Sequence, residues 1–285
     1  MFGGIEAGGT NFVCAVGTGP GDLIRAEFAT GAPRETVERC AAFFDKHKVD
    51  ALGVGCFGPI DIASGRITTT PKVAWQYFTI VDALRQATGI QQIAFDTDVN
   101  TAALGEHRWG AAVGKTDFLY LTVGTGIGGG AMVNGALLHG KSHPEMGHIR
   151  VRRDALRDPY PGNCYAHADC LEGLASGVAI EKRWGQTGKT LPHDHEAWKL
   201  ETEYLAEALA TFTFTLAPVM IIVGGGVMHS MQYPRLEARV GELLNGYVAV
   251  PEIVPPALGD DAGVLGAIAL AEHARDLATG VALQQ

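Results

Sequence analysis

The sequence lacks any apolar run near the roughly 20 residues that a membrane-spanning helix requires. It also lacks a basic N-terminal segment followed by an apolar core, so no secretory leader is expected. The formal net charge is -9 and lysine and arginine form no stripe, which argues against nucleic-acid binding. With 47% hydrophobic and 19% charged residues, we expect a soluble, globular, cytoplasmic protein.

Cysteine and linker sequence are both sparse. Of the five cysteines, Cys14, Cys40 and Cys56 stand alone in apolar surroundings and are expected to be small core residues. No Pro-rich or Ser-rich linker divides the 285 residues, which suffice for two modest domains. We therefore expect two domains that form a hinged cleft.

Glycine, in contrast, is abundant and forms two similar segments, residues 4–11 and 123–130, each between apolar runs. A turn without Cβ atoms lets backbone N–H groups converge on phosphate oxygens, and Thr10 and Thr125 each add a hydroxyl donor. The pattern predicts two strand–turn–strand units in a duplicated chain that together grip a polyphosphate. Ordinary tight turns are the alternative. A dinucleotide-binding motif would require a helix after the second segment, where a strand-like run ending in Asn134-Gly135 follows.

The remaining pattern is mixed α/β. Apolar runs predict strands near 2–7, 11–17, 23–29, 51–56, 92–96, 118–123, 131–133 and 219–223. Helices are expected near 34–47, 81–88, 100–109, 171–184, 196–215, 234–247 and in the final segment. The stretch 139–169 is loop-rich, and we place the domain boundary near Gly114.

A cluster of metal-ligating residue types lies in this loop-rich stretch. Cys164, His167 and Cys170 follow one another at two-residue spacings, and His148 completes a four-ligand set that suits tetrahedral, structural zinc. A disulfide between the two cysteines is the alternative, which a reducing compartment disfavours. The other histidines nearby lack a matching cysteine spacing and are expected to be solvated: His139, His143, His193 and His195.

Three carboxylates occupy positions where solubility does not require an acid. Asp98 follows a predicted strand and opens a predicted helix, so it is either a helix N-cap or a functional acid. Glu145 precedes Met146-Gly147-His148, and Glu172 comes two residues after Cys170. These two are exposed loop acids or ligands for hydroxyl groups.

Taken together, these motifs resemble the ROK family of sugar kinases over essentially the whole chain. The resemblance is carried by Glu6-Ala7-Gly8-Gly9-Thr10, Asp98-Val99-Asn100, Gly124 to Gly130, Glu145-Met146-Gly147-His148 and the cysteine loop. Within the family the chain looks most similar to bacterial fructokinases, through Gly58-Pro59-Ile60-Asp61, Thr70-Pro71-Lys72, Ser142-His143-Pro144-Glu145 and Glu172-Gly173-Leu174-Ala175-Ser176-Gly177.

The resemblance implies an α/β, actin-like ATPase (ribonuclease H-like) fold with two domains around a cleft. Residues 1–114 would form the N-terminal domain, completed by a C-terminal helix at about 264–280. Residues 115–263 would form the second domain and contain the zinc loop, 143–172. ATP, Mg²⁺ and structural Zn²⁺ are the implied cofactors, and a homodimer is the implied assembly.

The resemblance also implies roles for individual residues. Asp98 falls on the catalytic base, which accepts the proton of the sugar hydroxyl. The implied sugar-binding residues are Gly58, Asp61, Lys72, Asn100, Glu145, His148 and Glu172. The implied ATP-binding residues are Gly8, Gly9, Thr10, Asn11, Gly124, Thr125, Gly126, Gly177, Val178, Gly224, Gly225, Gly226, Val227 and Met228.

Five positions depart from the pattern of the wider family. Glu6 stands where Asp is usual, Asn11 where Lys is frequent, and Thr97 where Asn often precedes the base. Lys72 stands where Asn commonly follows Thr-Pro, and His167 replaces a cysteine of the commoner zinc set. The last two agree better with the fructokinase branch.

The expected reaction is therefore ATP-dependent phosphorylation of fructose to fructose 6-phosphate. The alternatives are a kinase of the same family for glucose, mannose or an N-acylhexosamine, and a non-catalytic sugar sensor. The retained Asp98 and the lack of a helix-turn-helix pattern before the first turn argue against the sensor.

Overall fold

The computed structural model of the protein describes residues 1–279. They form two compact units. The first unit comprises Met1–Gly114, Leu137–Pro144 and the described residues from Ala257 onward. The second comprises Lys115–Ala136 and Glu145–Pro256. In the part of the chain that is described, no helix is both long and apolar enough to cross a membrane.

The first unit is built on a five-stranded mixed sheet. Its strands are β1 (Phe2–Ala7), β2 (Asn11–Gly17), β3 (Ile24–Ala29), β4 (Ala51–Cys56) and β7 (Ile93–Thr97), in the order β3-β2-β1-β4-β7. A small hairpin consists of β5 (Ile60–Asp61) and β6 (Arg66–Ile67). The helices are α1 (Pro33–Phe44), α2 (Ile80–Thr88), α3 (Asp98–Trp109) and α8 (Ala262–Thr279).

The second unit contains a sheet of the same design. Its strands are β8 (Phe118–Val123), β9 (Ile127–Val133), β10 (Ala136–Leu137), β11 (Met220–Gly224) and β12 (Glu252–Val254), in the order β10-β9-β8-β11-β12. Its helices are α4 (Leu171–Ala175), α5 (Gly177–Trp184), α6 (Glu196–Leu216) and α7 (Tyr233–Leu244).

The two sheets confirm the duplication that the glycine segments predict. In each unit the first strand pairs antiparallel with the second across a glycine turn, β1 with β2 and β8 with β9. Its other edge pairs parallel with a later strand, β4 or β11. Buried apolar residues line both faces of β4 and β11, as expected of central strands covered by helices.

Two predicted helices have different limits in the structure, because a capping residue starts or ends a helix inside the predicted range. The run 171–184 is divided into α4 and α5, because the Ser176 side chain accepts a hydrogen bond from the Ala179 N–H and starts a new helix. The predicted helix 234–247 ends at Leu244, since Asn245 adopts a left-handed conformation with φ of 50°.

Residues 137–144 lie in the first unit, although the sequence analysis included them in the second domain. Histidine contacts explain this placement: the Ile60 N–H donates to Nε2 of His143 at 2.9 Å, and Nε2 of His139 lies 2.8 Å from Oδ2 of Asp96. The domain limits drawn from the sequence remain a prediction. The predicted end of the last helix, at about 280, lies outside the described residues.

Helices α3 and α8 approach each other at backbone distance. A Cβ atom on Gly266 would lie 1.6 Å from the Thr101 carbonyl oxygen, and one on Gly105 would lie 2.5 Å from the Ala262 carbonyl oxygen. Only glycine permits this separation. Because α3 begins at Asp98, the contact fixes the element that carries the predicted catalytic base.

A buried carboxylate adds to the same region. Glu106 of α3 is completely buried and accepts backbone N–H groups from Ala111 at 2.7 Å, Ala257 at 3.1 Å and Leu258 at 2.9 Å. These donors lie where the chain leaves the first unit and where it returns. One side chain therefore ties both connecting segments to α3.

Replacing Gly266 by alanine is expected to destabilise the protein, because the new methyl group would force α3 and α8 apart. The cost of such overpacking is about 1–3 kcal/mol, more than the gain in helix propensity. Thermal denaturation would show a lower Tm. Gly21→Ala is the matched control, since nothing lies within 4 Å of a Cβ there, and should leave the Tm nearly unchanged. Equal Tm values for Gly266→Ala and the wild type would contradict the close packing.

Candidate active site and metal centre

The first glycine turn presents unbonded backbone donors. Its closing bond runs from the Gly8 N–H to the Asn11 carbonyl at 2.9 Å, and Thr30 donates to the carbonyls of Gly8 and Thr10. Among the described residues, the N–H groups of Gly9 and Thr10 have no partner. The carbonyls of Gly8, Thr10 and Asn11 are thus occupied, and two successive donors remain for an anion.

The second turn, between β8 and β9, has the same arrangement. Gly124 donates to the Gly126 carbonyl at 2.9 Å, and its own carbonyl accepts from the Gly177 N–H at 2.7 Å. The N–H groups of Thr125 and Gly126 bond to no described residue. Gly177 begins α5, so the positive end of that helix dipole adjoins the turn and favours an anion there.

The predicted nucleotide-binding residues of the second unit gather around this turn. A Cβ on Gly225 would lie 2.5 Å from the Val123 carbonyl oxygen, and one on Gly177 would lie 3.7 Å from Val227 Cγ2. Gly225 has φ of 93°, which glycine adopts without strain. The structure therefore brings segments 124–126, 177–178 and 224–228 together.

Not every predicted ATP-binding side chain is available. Met228 is 3% exposed and belongs to the core, so only its backbone could contribute to a ligand site. In the first unit, the Asn11 amide donates to Oε1 of Glu27 at 2.8 Å. The side-chain amide of Asn11 is thus already bonded to a residue of β3.

Asp98 is the first residue of α3 and is not its N-cap. The cap is Thr97, whose side chain accepts a hydrogen bond from the Asn100 N–H. The Asp98 Oδ1 accepts the adjacent Val99 N–H at 2.9 Å. Burial raises the pKa of Asp98 to about 6, while the Val99 hydrogen bond and the charge of His143 oppose the rise. Such a carboxylate is ionised at neutral pH and basic enough to accept a proton.

A second carboxylate of the first unit lies in the field of Asp98. Burial, and next the charge of Asp98, raise the pKa of Glu6 to about 7. Among the described residues, the Glu6 carboxylate makes no hydrogen bond. Oxygen ligands of this kind suit Mg²⁺, and a divalent cation would relieve the repulsion between the two acids. The donor set therefore fits a magnesium ion.

A polar cluster that the sequence pattern does not predict lies directly before Asp98. Asp96 is 4% exposed, and its carboxylate accepts from the Thr97 N–H at 2.7 Å and the Asn100 amide at 3.0 Å. Nε2 of His139 lies 2.8 Å from the other oxygen. The expectation that His143 is solvated is wrong, since it is 7% exposed and bonded to Ile60. No local pattern signals the two histidine contacts, because His139 and His143 are distant in sequence from Asp96 and Ile60.

Two predicted sugar-binding residues of the first unit have other contacts. The Asp61 carboxylate accepts from the Ser64 hydroxyl at 2.6 Å and the Ala63 N–H at 3.2 Å, which stabilises its own hairpin. Lys72 Cε lies 3.3 Å from the position of a Cβ on Gly9, so its side chain reaches the first glycine turn. Gly58 precedes Pro59 in a cis peptide bond.

In the second unit, the two glutamates lie next to the glycine turn and the cysteine loop. Oε2 of Glu172 accepts the Ile127 N–H at 2.9 Å, directly after the second turn. Oε2 of Glu145 lies 3.9 Å from Nε2 of His148. One oxygen of Glu172 is thus occupied, and no described residue hydrogen-bonds to its other oxygen.

The four predicted metal ligands converge. Their ligand atoms all lie within 4.8 Å of one another, in the set His148, Cys164, His167 and Cys170. Nδ1 of His148 lies 3.5 Å from Cys170 Sγ and 3.6 Å from Cys164 Sγ. Tetrahedral zinc, with bonds of about 2.0 Å to nitrogen and 2.3 Å to sulfur, places ligand atoms at similar separations.

The local backbone explains how one short loop supplies three of these ligands. Cys164 and Ala168 exchange backbone hydrogen bonds at 3.0 and 3.1 Å, and Ala168 turns the chain with φ of 53°. Both cysteines are buried and free, so the disulfide alternative is not observed. The other nitrogen of His148 faces Glu145, as expected when a carboxylate orients a metal-bound imidazole.

Comparisons with known proteins agree with this arrangement. A model of the ROK family matches residues 2–274. A protein of Bacillus subtilis (strain 168) is 46% identical over 96% of both chains. The fructokinase of Pediococcus pentosaceus is 41% identical over 96% of this chain and 98% of its own.

Solved structures show the same fold. A ROK hexokinase from Thermus thermophilus superposes with a TM-score of 0.77 at 28% identity, covering 95% of this chain and 98% of its own. Curated relatives named glucokinase are less similar in sequence than the fructokinase, at 27% to 29% identity. The fold is thus the mixed α/β fold of ROK kinases, an actin-like ATPase fold.

Purified protein is expected to contain stoichiometric zinc, measured by emission spectrometry, because four soft or borderline ligands converge. Cys170→Ala should lose most of the metal, since it leaves an incomplete ligand set. Cys14→Ala removes a buried thiol of the first unit and should retain it. Cobalt substitution gives a second readout, as thiolate ligands produce intense absorption bands. Equal zinc in Cys170→Ala and the wild type would exclude this site.

Proposed function

This chain belongs to the ROK family, and we propose that it is a fructokinase that transfers the γ-phosphoryl group of ATP to fructose and forms fructose 6-phosphate. It is an ATP-dependent hexose kinase, as its whole-length relatives are sugar kinases. The observation that carries the choice of sugar is the 41% identity to a fructokinase, against 27% to 29% for three glucokinases.

Asp98 is the proposed general base. Its carboxylate accepts the proton of the sugar's primary hydroxyl as the oxygen attacks the γ-phosphorus in line. The raised pKa supports this role, because a base titrating near 6 is ionised at neutral pH and still accepts a proton more readily than an exposed aspartate. Its position on the first turn of α3, held by the contact with α8, limits its freedom.

The glycine turns are the proposed phosphate-binding elements. Their free N–H groups donate to phosphate oxygens, and α5 adds its dipole at the second turn. Gly177, Val178 and the segment 224–228 are proposed to contact the adenosine part. Glu6 is the proposed ligand for Mg²⁺, which neutralises phosphate charge when bound.

Glu145 and Glu172 are the proposed ligands for sugar hydroxyls, together with Asn100, Gly58 and the loop around Asp61. Carboxylates suit this task because each accepts hydrogen bonds from neighbouring hydroxyls. The remaining oxygen of Glu172 and the contact between Glu145 and His148 support it.

The metal centre is proposed to be structural, since four protein ligands leave no open position. A homodimer in the cytoplasm is the proposed state.

A hexose panel tests the reaction and the sugar. With ATP and Mg²⁺, a coupled assay should show the highest kcat/KM for fructose, and the product should be fructose 6-phosphate. Preference for glucose, mannose or an N-acylhexosamine would refute the fructokinase assignment but keep the kinase. Sugar binding without turnover on any hexose would instead indicate a sensor.

Asp98→Asn tests the base. Loss of the proton acceptor should lower kcat by about 10²–10⁴-fold while fructose still binds, which calorimetry can verify. Asp45→Asn, an exposed and conservative control, should leave kcat unchanged. An unaltered kcat in Asp98→Asn would remove Asp98 from the mechanism.

The pH profile gives an independent check of the same base. Because the ionised form of Asp98 is required, kcat/KM should be highest at pH values above the pKa of Asp98. Below about pH 6 it should decrease, with a slope that approaches tenfold per pH unit. Glu6 titrates close by, with a pKa of about 7, so the profile should also be measured for Glu6→Gln. A kcat/KM that stays constant down to pH 4.5 would contradict a base of this pKa.

A further inference from the structure

Lys72 lies against the backbone of the first glycine turn. Its Cε is 3.3 Å from the position that a Cβ on Gly9 would occupy, so the aliphatic part of the side chain packs on the turn. The residue is half-buried. Among the described residues, its ammonium group has neither an ion pair nor a hydrogen bond. A positive charge without a protein partner therefore adjoins the free N–H groups of Gly9 and Thr10.

A buried tryptophan fixes this position. Trp75 is 2% exposed, stacks on Phe12 with ring centroids 5.4 Å apart, and donates its indole N–H to the Gly31 carbonyl at 3.1 Å. Its backbone N–H donates to the Lys72 carbonyl at 2.8 Å. Phe12 belongs to β2, the strand that leaves the turn, so the loop with Lys72 and the turn are tied to one core.

Two other side chains that could serve this turn, those of Asn11 and Arg25, already have protein partners. Asn11 stands where the wider family often has lysine, and its amide is bonded to Glu27. Arg25 is the cation whose charge reaches Glu6, but it is paired with Glu27 and Asp261. Lys72 would thus add a positive charge to the backbone donors and the Thr10 hydroxyl of this turn.

We propose that Lys72 is a catalytic residue whose ammonium group binds a phosphate oxygen held at the first turn, in place of the sugar hydroxyl that sequence similarity implied. The proposal rests on the kinase function proposed above. In the reaction the sugar oxygen forms a bond to the γ-phosphorus and the bond to the β,γ-bridging oxygen breaks. ADP leaves with that electron pair, and Asp98 takes the hydroxyl proton. Lys72 keeps its own protons and stabilises the charge on the phosphoryl oxygens.

Lys72→Met in the full-length protein tests this role, because methionine keeps the apolar packing on Gly9 and removes the charge. We expect kcat to fall about 10²–10³-fold, as when one charge-stabilising group is lost. Affinity for the non-hydrolysable ATP analogue AMPPNP should fall about tenfold, whereas affinity for AMP and for fructose should stay unchanged. Lys72→Arg should recover part of the kcat, and Lys46→Met, at an exposed lysine, should match the wild type.

The opposite pattern would overturn the proposal. If Lys72 binds the sugar, Lys72→Met should lose affinity for fructose and keep its affinity for AMPPNP. If Lys72 binds neither ligand, both affinities should stay unchanged. Tm values show whether the variants fold, and Lys72→Gln supplies a second neutral side chain. Should the wild type phosphorylate no hexose, the proposed function fails separately, and the comparison of AMPPNP with AMP still decides whether Lys72 binds phosphate.

Discussion

Close contact between β4, α3 and α8 is the constraint on which the first unit and its proposed catalytic base depend. A Cβ on Gly53 would lie 1.9 Å from the Ala267 carbonyl oxygen, and one on Gly55 would lie 2.1 Å from the Thr101 hydroxyl. A Cβ on Gly266 of α8 would lie 1.6 Å from the Thr101 carbonyl oxygen. Because a densely packed interior leaves no free space for a helix to shift, the start of α3 is held in one position relative to β1 and β4. The result is that Asp98 and Glu6 are held in one electrostatic environment.

That environment explains why two acids with different proposed tasks titrate close to neutrality. Burial is the first cause of the raised pKa in both, and mutual repulsion adds to it for Glu6. A base for a sugar hydroxyl and an oxygen ligand for Mg²⁺ can both use this state. Lys72, at the turn that follows Glu6, supplies the opposite charge on the same unit. The proposed metal ligand, the proposed base and the lysine therefore all belong to the first unit.

In the second unit, side chains connect three chemical functions over short distances. Glu172 follows the metal-ligand loop and accepts the Ile127 N–H beside the second glycine turn. His148 faces two cysteines with Nδ1 and Glu145 with Nε2. A metal ion bound by this loop would orient both proposed sugar ligands through one imidazole and one short helix. This is a physical reason for an otherwise loop-rich stretch to carry four metal ligands.

The sequence alone determined those features that depend on local pattern. Glycine between apolar runs predicted the two hairpins, apolar runs predicted the central strands such as β4, and cysteine and histidine spacing predicted the ligand set around Cys164. Only the tertiary structure decided the rest. It placed residues 137–144 in the first unit, buried His143, made Thr97 the cap of α3, and brought Lys72 to Gly9. Except for the Thr97 cap, which bonds the nearby Asn100 N–H, these outcomes depend on contacts between residues far apart in the chain, and local periodicity carries no information about such contacts.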